Sequence, residues 1–123
     1  MFQAVETIDR DVLATILEEG GFVAIVRVVD TTIRLPGTRN ERFAATVEVL
    51  HRLHGELADT ITIQRFTSGG DLVLHPGRIY AVALQDIAAF SEDPTLVGQL
   101  EVAESDVATS VARHQEVLAS LGG

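Results

Sequence analysis

Five runs of β-branched and aliphatic residues, glycine-bearing turns between them, and an amphipathic helical stretch near each end predict a mainly β chain with two helices. The run that organises the others is Leu74–Leu84. It opens on the turn His75-Pro76-Gly77, where proline presets φ and glycine accepts a positive φ. It continues as Ile79-Tyr80-Ala81-Val82-Ala83-Leu84, apolar on both faces. A strand that needs cover on both sides is central to its sheet. Closure into a small barrel supplies the inner cover and helices supply part of the outer one. An open five-stranded sheet with helices on one face is the competing arrangement.

The elements follow in order. Residues 7–19 carry Ile8, Val12, Leu13, Ile16 and Leu17 at helical spacing, with Thr7 or Asp9 able to cap and Gly20-Gly21 as the stop. Phe22–Arg34 is the first strand. Phe22, Ala24, Val26 and Val28 form one clean apolar face, and Val23, Ile25, Arg27 and Val29 form the other, whose first half a helix can shelter. Leu35–Asn40 is a hairpin tip built on Pro36-Gly37. The second strand runs from Arg42 to Leu53, with Phe43, Ala45, Val47 and Val49 on one side, and His54-Gly55-Glu56 closes it. Thr60–Phe66 is the third strand, with Ile61 and Ile63 inward, and Thr67–Asp71 is a polar loop. After the Leu74–Leu84 strand comes a loop, Asp86–Pro94, then a short fifth strand at Leu96–Val102. A closing helix at 105–121 takes Ser105 as its cap and Val107, Val111, His114, Leu118 and Leu121 as its stripe.

At 123 residues, 46% of them apolar, the chain reads as one domain over residues 1–123 with a core of ordinary size. Cysteine is absent, which excludes a disulfide framework and any thiolate metal site. Eighteen acids face nine bases, all arginine, for a net charge of −9. A body this acidic repels phosphate backbones and has no attraction to an anionic membrane, so neither nucleic acid nor membrane is an expected partner. No apolar run approaches the length of a membrane span. Met1–Asp11 holds Glu6, Asp9 and Asp11 and no apolar segment, so no signal peptide is expected there. The compartment is then cytoplasmic for a complete chain and extracytoplasmic for one whose leader has been removed.

The phrases FVAIVRVV, VEVLHRLHGE, TITIQRF and LHPGRIYAVAL, preceded by the opening helix, resemble the netrin-like module of the tissue inhibitors of metalloproteinases and its bacterial relatives. Relatives of that module end the second strand in a valine-leucine-lysine-glycine phrase and carry a proline-glycine-x-x-tyrosine phrase where this chain has Pro76-Gly77-Arg78-Ile79-Tyr80. The similarity spans about residues 10–103. It implies a five-stranded OB-like β-barrel with an N-terminal and a C-terminal α-helix. It does not carry inhibition over. The inhibitors chelate the protease zinc through a disulfide-pinned N-terminal cysteine, and this chain has none.

Candidate chemistry is sparse. His51 and His54 stand three apart on a strand, hence on opposite faces unless a bulge intervenes, and do not make a metal pair. His75 falls in a turn, and His114 on the helix stripe is read as a core or boundary histidine. Asp86, Glu92 and Asp93 share a loop and are read as solvated, not as a converging acid–base pair. Ser68-Gly69-Gly70 lacks the strand-turn-helix context of a nucleophile elbow or phosphate cradle. No catalytic residue, cofactor site or metal site is expected. Arg34, Arg39 and Arg42, around the first hairpin tip with only Glu41 opposing, are the candidate partner-binding cluster, since guanidinium groups meet carboxylates in bidentate geometry. A solvated, charged hairpin tip is the plain alternative. The expectation is therefore a non-catalytic interaction module with a protein partner. The rival is a structural subunit packing against copies of itself. Single-strand nucleic-acid binding follows from the OB analogy alone, and five phenylalanines and one tyrosine leave little for base stacking.

Overall fold

The computed structural model describes residues 6–39, 41–66, 74–86 and 93–122. Helix α1 (Arg10–Glu19) is followed by strands β1 (Gly21–Arg34), β2 (Arg42–His54), β3 (Thr60–Phe66), β4 (Ile79–Gln85) and β5 (Thr95–Glu101), and then by helix α2 (Val107–Gly122). The expected loop Thr67–Asp71, with Ser68-Gly69-Gly70, lies outside the described residues, as does most of the loop 86–94, Glu92 included.

The five strands join in a closed ring, β1-β2-β3-β5-β4, with β4 returning to β1. Long antiparallel ladders make most of it: β1 with β2, β2 with β3, β4 with β1, and β4 with β5. β3 and β5 run parallel and share one ladder position, Gln64 with Thr95. β4 is paired on both edges, with β1 and β5, and is covered on both faces as its sequence requires, all six residues Ile79–Leu84 being buried.

Strand alternation sorts the apolar residues into two cores. Inside the ring, Ala24, Val26 and Val28 of β1 meet Val47, Ile63 and Val82. Outside it, Val23 and Ile25 of β1 and Ala81 and Ala83 of β4 pack beneath the helices, against Leu13, Ile16 and Leu118. The helices thus cover the face of β1 and β4 that the ring leaves outward. Gly98 on β5 lets α1 settle that closely. A Cβ there would stand 3.0 Å from Val12 Cγ1 and 3.2 Å from Ile8 Cγ2.

Of the expected helix caps, Asp9 is found and Ser105 is not. α1 begins at Arg10 because Asp9 is the cap, its carboxylate accepting the Asp11 N–H at 2.8 Å. Ser105 does not cap α2. It lies within a single 3₁₀ turn, Glu104–Asp106, whose preceding residue Ala103 offers no side-chain oxygen. The tighter turn supplies that lead-in by backbone bonding, with the Asp106 N–H donating to the Ala103 carbonyl at 2.8 Å.

One irregularity redirects β1. Val28 pairs with Val47 but Asp30 pairs with Thr46, so Val29 is the extra residue of a bulge. Its side chain is 55% exposed instead of continuing the sheltered face of Val23 and Ile25. β1 also leaves β4 here. The last backbone bonds between β1 and the β4 side are Val28 N–H to Arg78 O and Gly77 N–H to Val28 O. From Val29 to Arg34 the strand runs on as an arm, paired with β2 alone among the described residues.

Candidate functional site

The three hairpin arginines have different fates. The tip itself is a Pro-Gly turn, as its sequence demands: the Thr38 N–H closes on the Leu35 carbonyl at 3.3 Å and Gly37 takes φ +78°. Arg39 stands exposed beside it, with no ion pair among the described residues. Arg34 Nη1 reaches Asp93 Oδ2 at 2.8 Å. Arg42 Nη1 donates to Gln64 Oε1 at 2.9 Å. Gln64, only 3% exposed, in turn donates its Nε2 to the Asp93 carbonyl at 3.2 Å and its backbone N–H to the Pro94 carbonyl at 3.1 Å. The structure therefore does not gather Arg34, Arg39 and Arg42 into one free cluster. Two of them fasten Asp93-Pro94 across the β3–β5 join, the place where the ring has least ladder. Asp93 is correspondingly an ion-pair partner and not simply solvated, while Asp86 is exposed at the end of β4.

The other arginines do similar local work. Arg52 ties the β2–β3 connection, bonding the Leu57 carbonyl and the Asp59 carboxylate, each at 2.6 Å. Arg65 Nη1 donates to the Leu96 carbonyl at 2.7 Å, a second tie between β3 and β5. Arg78 meets Glu101 at 2.8 Å, and this hydrogen bond and the charge behind it hold the guanidinium protonated more firmly still.

The histidines separate into surface and core. His51 and His75 are exposed and His54 is half-buried. Register shifts on either side of Ala24–Ile25 set His54 opposite Val23 and His51 opposite Ile25. Both therefore sit across from residues of the same β1 face, so the opposite-face rule for a straight strand does not hold here. No third ligand joins them: among the described residues no group of three or more His, Asp or Glu is arranged to hold a metal ion.

His114 is fully buried and fully employed. Its Nε2 lies 3.0 Å from the Ile8 N–H, which can only donate, so Nε2 is the unprotonated acceptor. Nδ1 then carries the proton and points it at the Ser110 carbonyl, 2.8 Å away, with Ser110 Oγ at 3.3 Å. Burial pushes its pKa below the ordinary 6.5, against a smaller upward pull from the Ser110 carbonyl. The imidazole is thus a neutral strap between α2 and the residue that leads into α1. The stripe spacing on α2 predicts its burial. Its partner, 106 residues away, has no sequence signal.

Two shallow grooves lie on the surface of the described residues. One, of about 230 Å³, lies between α1 and the β4–β5 side and is lined by Val12, Ile16, Thr15 and Val97 with Asp11 and Gln85 at its rim. It falls below the roughly 300–1,000 Å³ of small-molecule sites and has no convergent polar set. The other, about 220 Å³, holds Arg27, Arg78, Glu101 and Glu104, whose charges are already paired as Arg27–Glu104 and Arg78–Glu101. No described helix is long and apolar enough to cross a membrane. What remains unsatisfied is the β1 arm. Val29, Ile33 and Leu35 are the exposed large hydrophobic residues among those described, and all three belong to this one segment. Comparison with protein-family models, curated proteins and solved structures finds no match to the chain.

Proposed function

We propose that this chain is a non-catalytic, OB-like interaction module that recruits a protein partner through the outer half of its β1–β2 hairpin. The observation that carries the reading is the concentration of exposed Val29, Ile33 and Leu35 on a strand arm beyond the ring. Apolar side chains grouped on one exposed segment mark an interaction surface more often than singly scattered ones do. The ring order β1-β2-β3-β5-β4, with a 14-residue first strand and a parallel β3–β5 contact, supports the OB-like description. Arg39 and the exposed part of Arg34 would add charge-assisted contacts to acidic groups of the partner.

A structural subunit that packs on copies of itself is the second reading, favoured by the unpaired edge of the same arm. Affinity capture from a lysate of the source organism tests the module reading, with wild type beside an Ile33→Asp/Leu35→Asp variant. A defined protein retained by wild type and lost by the variant is expected. Equal retention by both overturns the role of the arm.

A further inference from the structure

We infer that the free edge of β1 is a self-pairing surface: two copies of the chain join antiparallel along Asp30–Arg34, with the two-fold axis at Thr32. This rests on the reading of the arm as the interaction surface and names its occupant as a second copy.

The edge is open because pairing with β4 and the turn before it stops at Val28 of β1, so from Val29 onward β1 pairs with β2 alone among the described residues. An unpaired strand edge is a template for another strand. The orientation of its groups can be read from one bond. The Thr31 N–H is taken by its neighbour's carboxylate, Asp30 Oδ1, at 2.8 Å, and so faces the open side. Strand groups alternate in direction, so the N–H and C=O of Ile33 face the same way.

Pairing about Thr32 then sets Thr31 opposite Ile33 of the second copy, twice over. Both residues present outward N–H and C=O groups, and each such pair exchanges two backbone bonds. The same register sets Asp30 opposite Arg34 of the second copy, again twice. Asp30 and Arg34 share a face, being separated by an even number of residues. Oppositely charged residues directly across an antiparallel pair are stabilising, and like charges are not. Val29, at the bulge, and Leu35, in the turn, flank the two ends of the paired stretch as exposed hydrophobic residues.

The sequence Asp30-Thr31-Thr32-Ile33-Arg34 is therefore complementary in charge to its own reverse. A shift of one residue in either direction loses both charge pairs. The present bonds are compatible with the exchange. When Thr31 takes the second copy's carbonyl, the Asp30 carboxylate is released to that copy's Arg34. Arg34 uses only Nη1 on Asp93, leaving Nε and Nη2 for a second carboxylate.

Sedimentation of the purified full-length chain tests this. Wild type over a dilution series reaching about 1 mM, the weak end of measurable association, is expected to show twice the mass of one chain. Asp30→Arg alone and Arg34→Asp alone each set like charges across the pair and should run as monomers. Mixed one to one, they should recover the dimer, because an arginine then faces an aspartate at both of the charged positions. Thr31→Pro removes an N–H that the β2 ladder does not use, so it should leave the fold intact by circular dichroism and abolish the dimer. A wild type that stays monomeric throughout overturns the self-pairing and leaves the arm open to a different protein. Dimerisation of either single charge variant, failure of the mixture, or a dimeric Thr31→Pro protein overturns it equally. The lysate capture reads the module proposal separately, since retention of a different protein does not depend on self-pairing.

Discussion

Replacing His114 with leucine, of nearly the same volume, removes the acceptor for the Ile8 N–H while keeping the outer core filled. The donor left behind is buried, between a fully buried imidazole and a residue only 4% exposed. A stranded buried N–H costs about 1–3 kcal/mol, so the variant should be less stable by that amount near neutral pH. The effect should then shrink in mild acid. In the folded chain His114 is held neutral below its ordinary pKa of 6.5, whereas in the unfolded chain it takes up a proton at that value. Below about pH 6.5 the unfolded state binds more protons, so wild type loses stability as pH falls, until the lowered folded pKa is reached. The loss has a limiting slope of about 1.4 kcal/mol per pH unit. The leucine variant lacks this contribution. Urea denaturation of both proteins between about pH 7.5 and 5 therefore should show the gap between them narrowing with acid. A constant gap across that range would refute the neutral, buried strap. An unchanged stability at neutral pH would refute the Ile8–His114 bond itself.

The remaining predictions concern the same packing. Gly98→Val places a branched side chain where α1 rests on β5, within 3.0–3.2 Å of Val12 and Ile8, and should destabilise the fold by about 1–3 kcal/mol in thermal or urea melts. A neutral result would mean that α1 does not sit on β5. Leu118→Asp introduces a carboxylate into the outer core between α2 and the ring, and should cost a few kcal/mol because the charge enters without a partner. Hydrogen exchange complements it: amides along 107–121 of the wild type should be protected, and unprotected rates there would show that α2 is not docked.

How far the sequence carries this protein depends on the range of the interactions involved. Period-two alternation made the inner faces of β1, β2 and β3 legible, and Val26, Val47 and Ile63 lie together in the ring interior as their spacing requires. Ala81, which the same reading expects beside them, lies instead in the outer core because its face of β4 turns toward the helices. The Pro-Gly turns at Leu35–Thr38 and His75–Arg78 followed from local φ preferences, and the continuous apolar run marked β4 as a strand buried on both faces. The stripe of α2 put His114 inward. Each of these signals acts within a few residues, where chain geometry alone sets which side chains share a face. The fate of the arginines was not legible in that way. Arg34 and Arg42 look like a free cationic tip until tertiary structure brings Asp93 and Gln64, 59 and 22 residues along the chain, to meet them. Nor does alternation reveal the bulge at Val29, which reverses the facing of every later β1 residue because the side-chain period is two. The open edge has the same origin: a strand of 14 residues meets a neighbour of only 7, so its last residues extend past the ring. Away from the bulges, which side chains share a face was set locally by the sequence. Which strand edges and which distant polar groups meet was decided by closure of the ring, because those contacts depend on the relative lengths and registers of several strands at once.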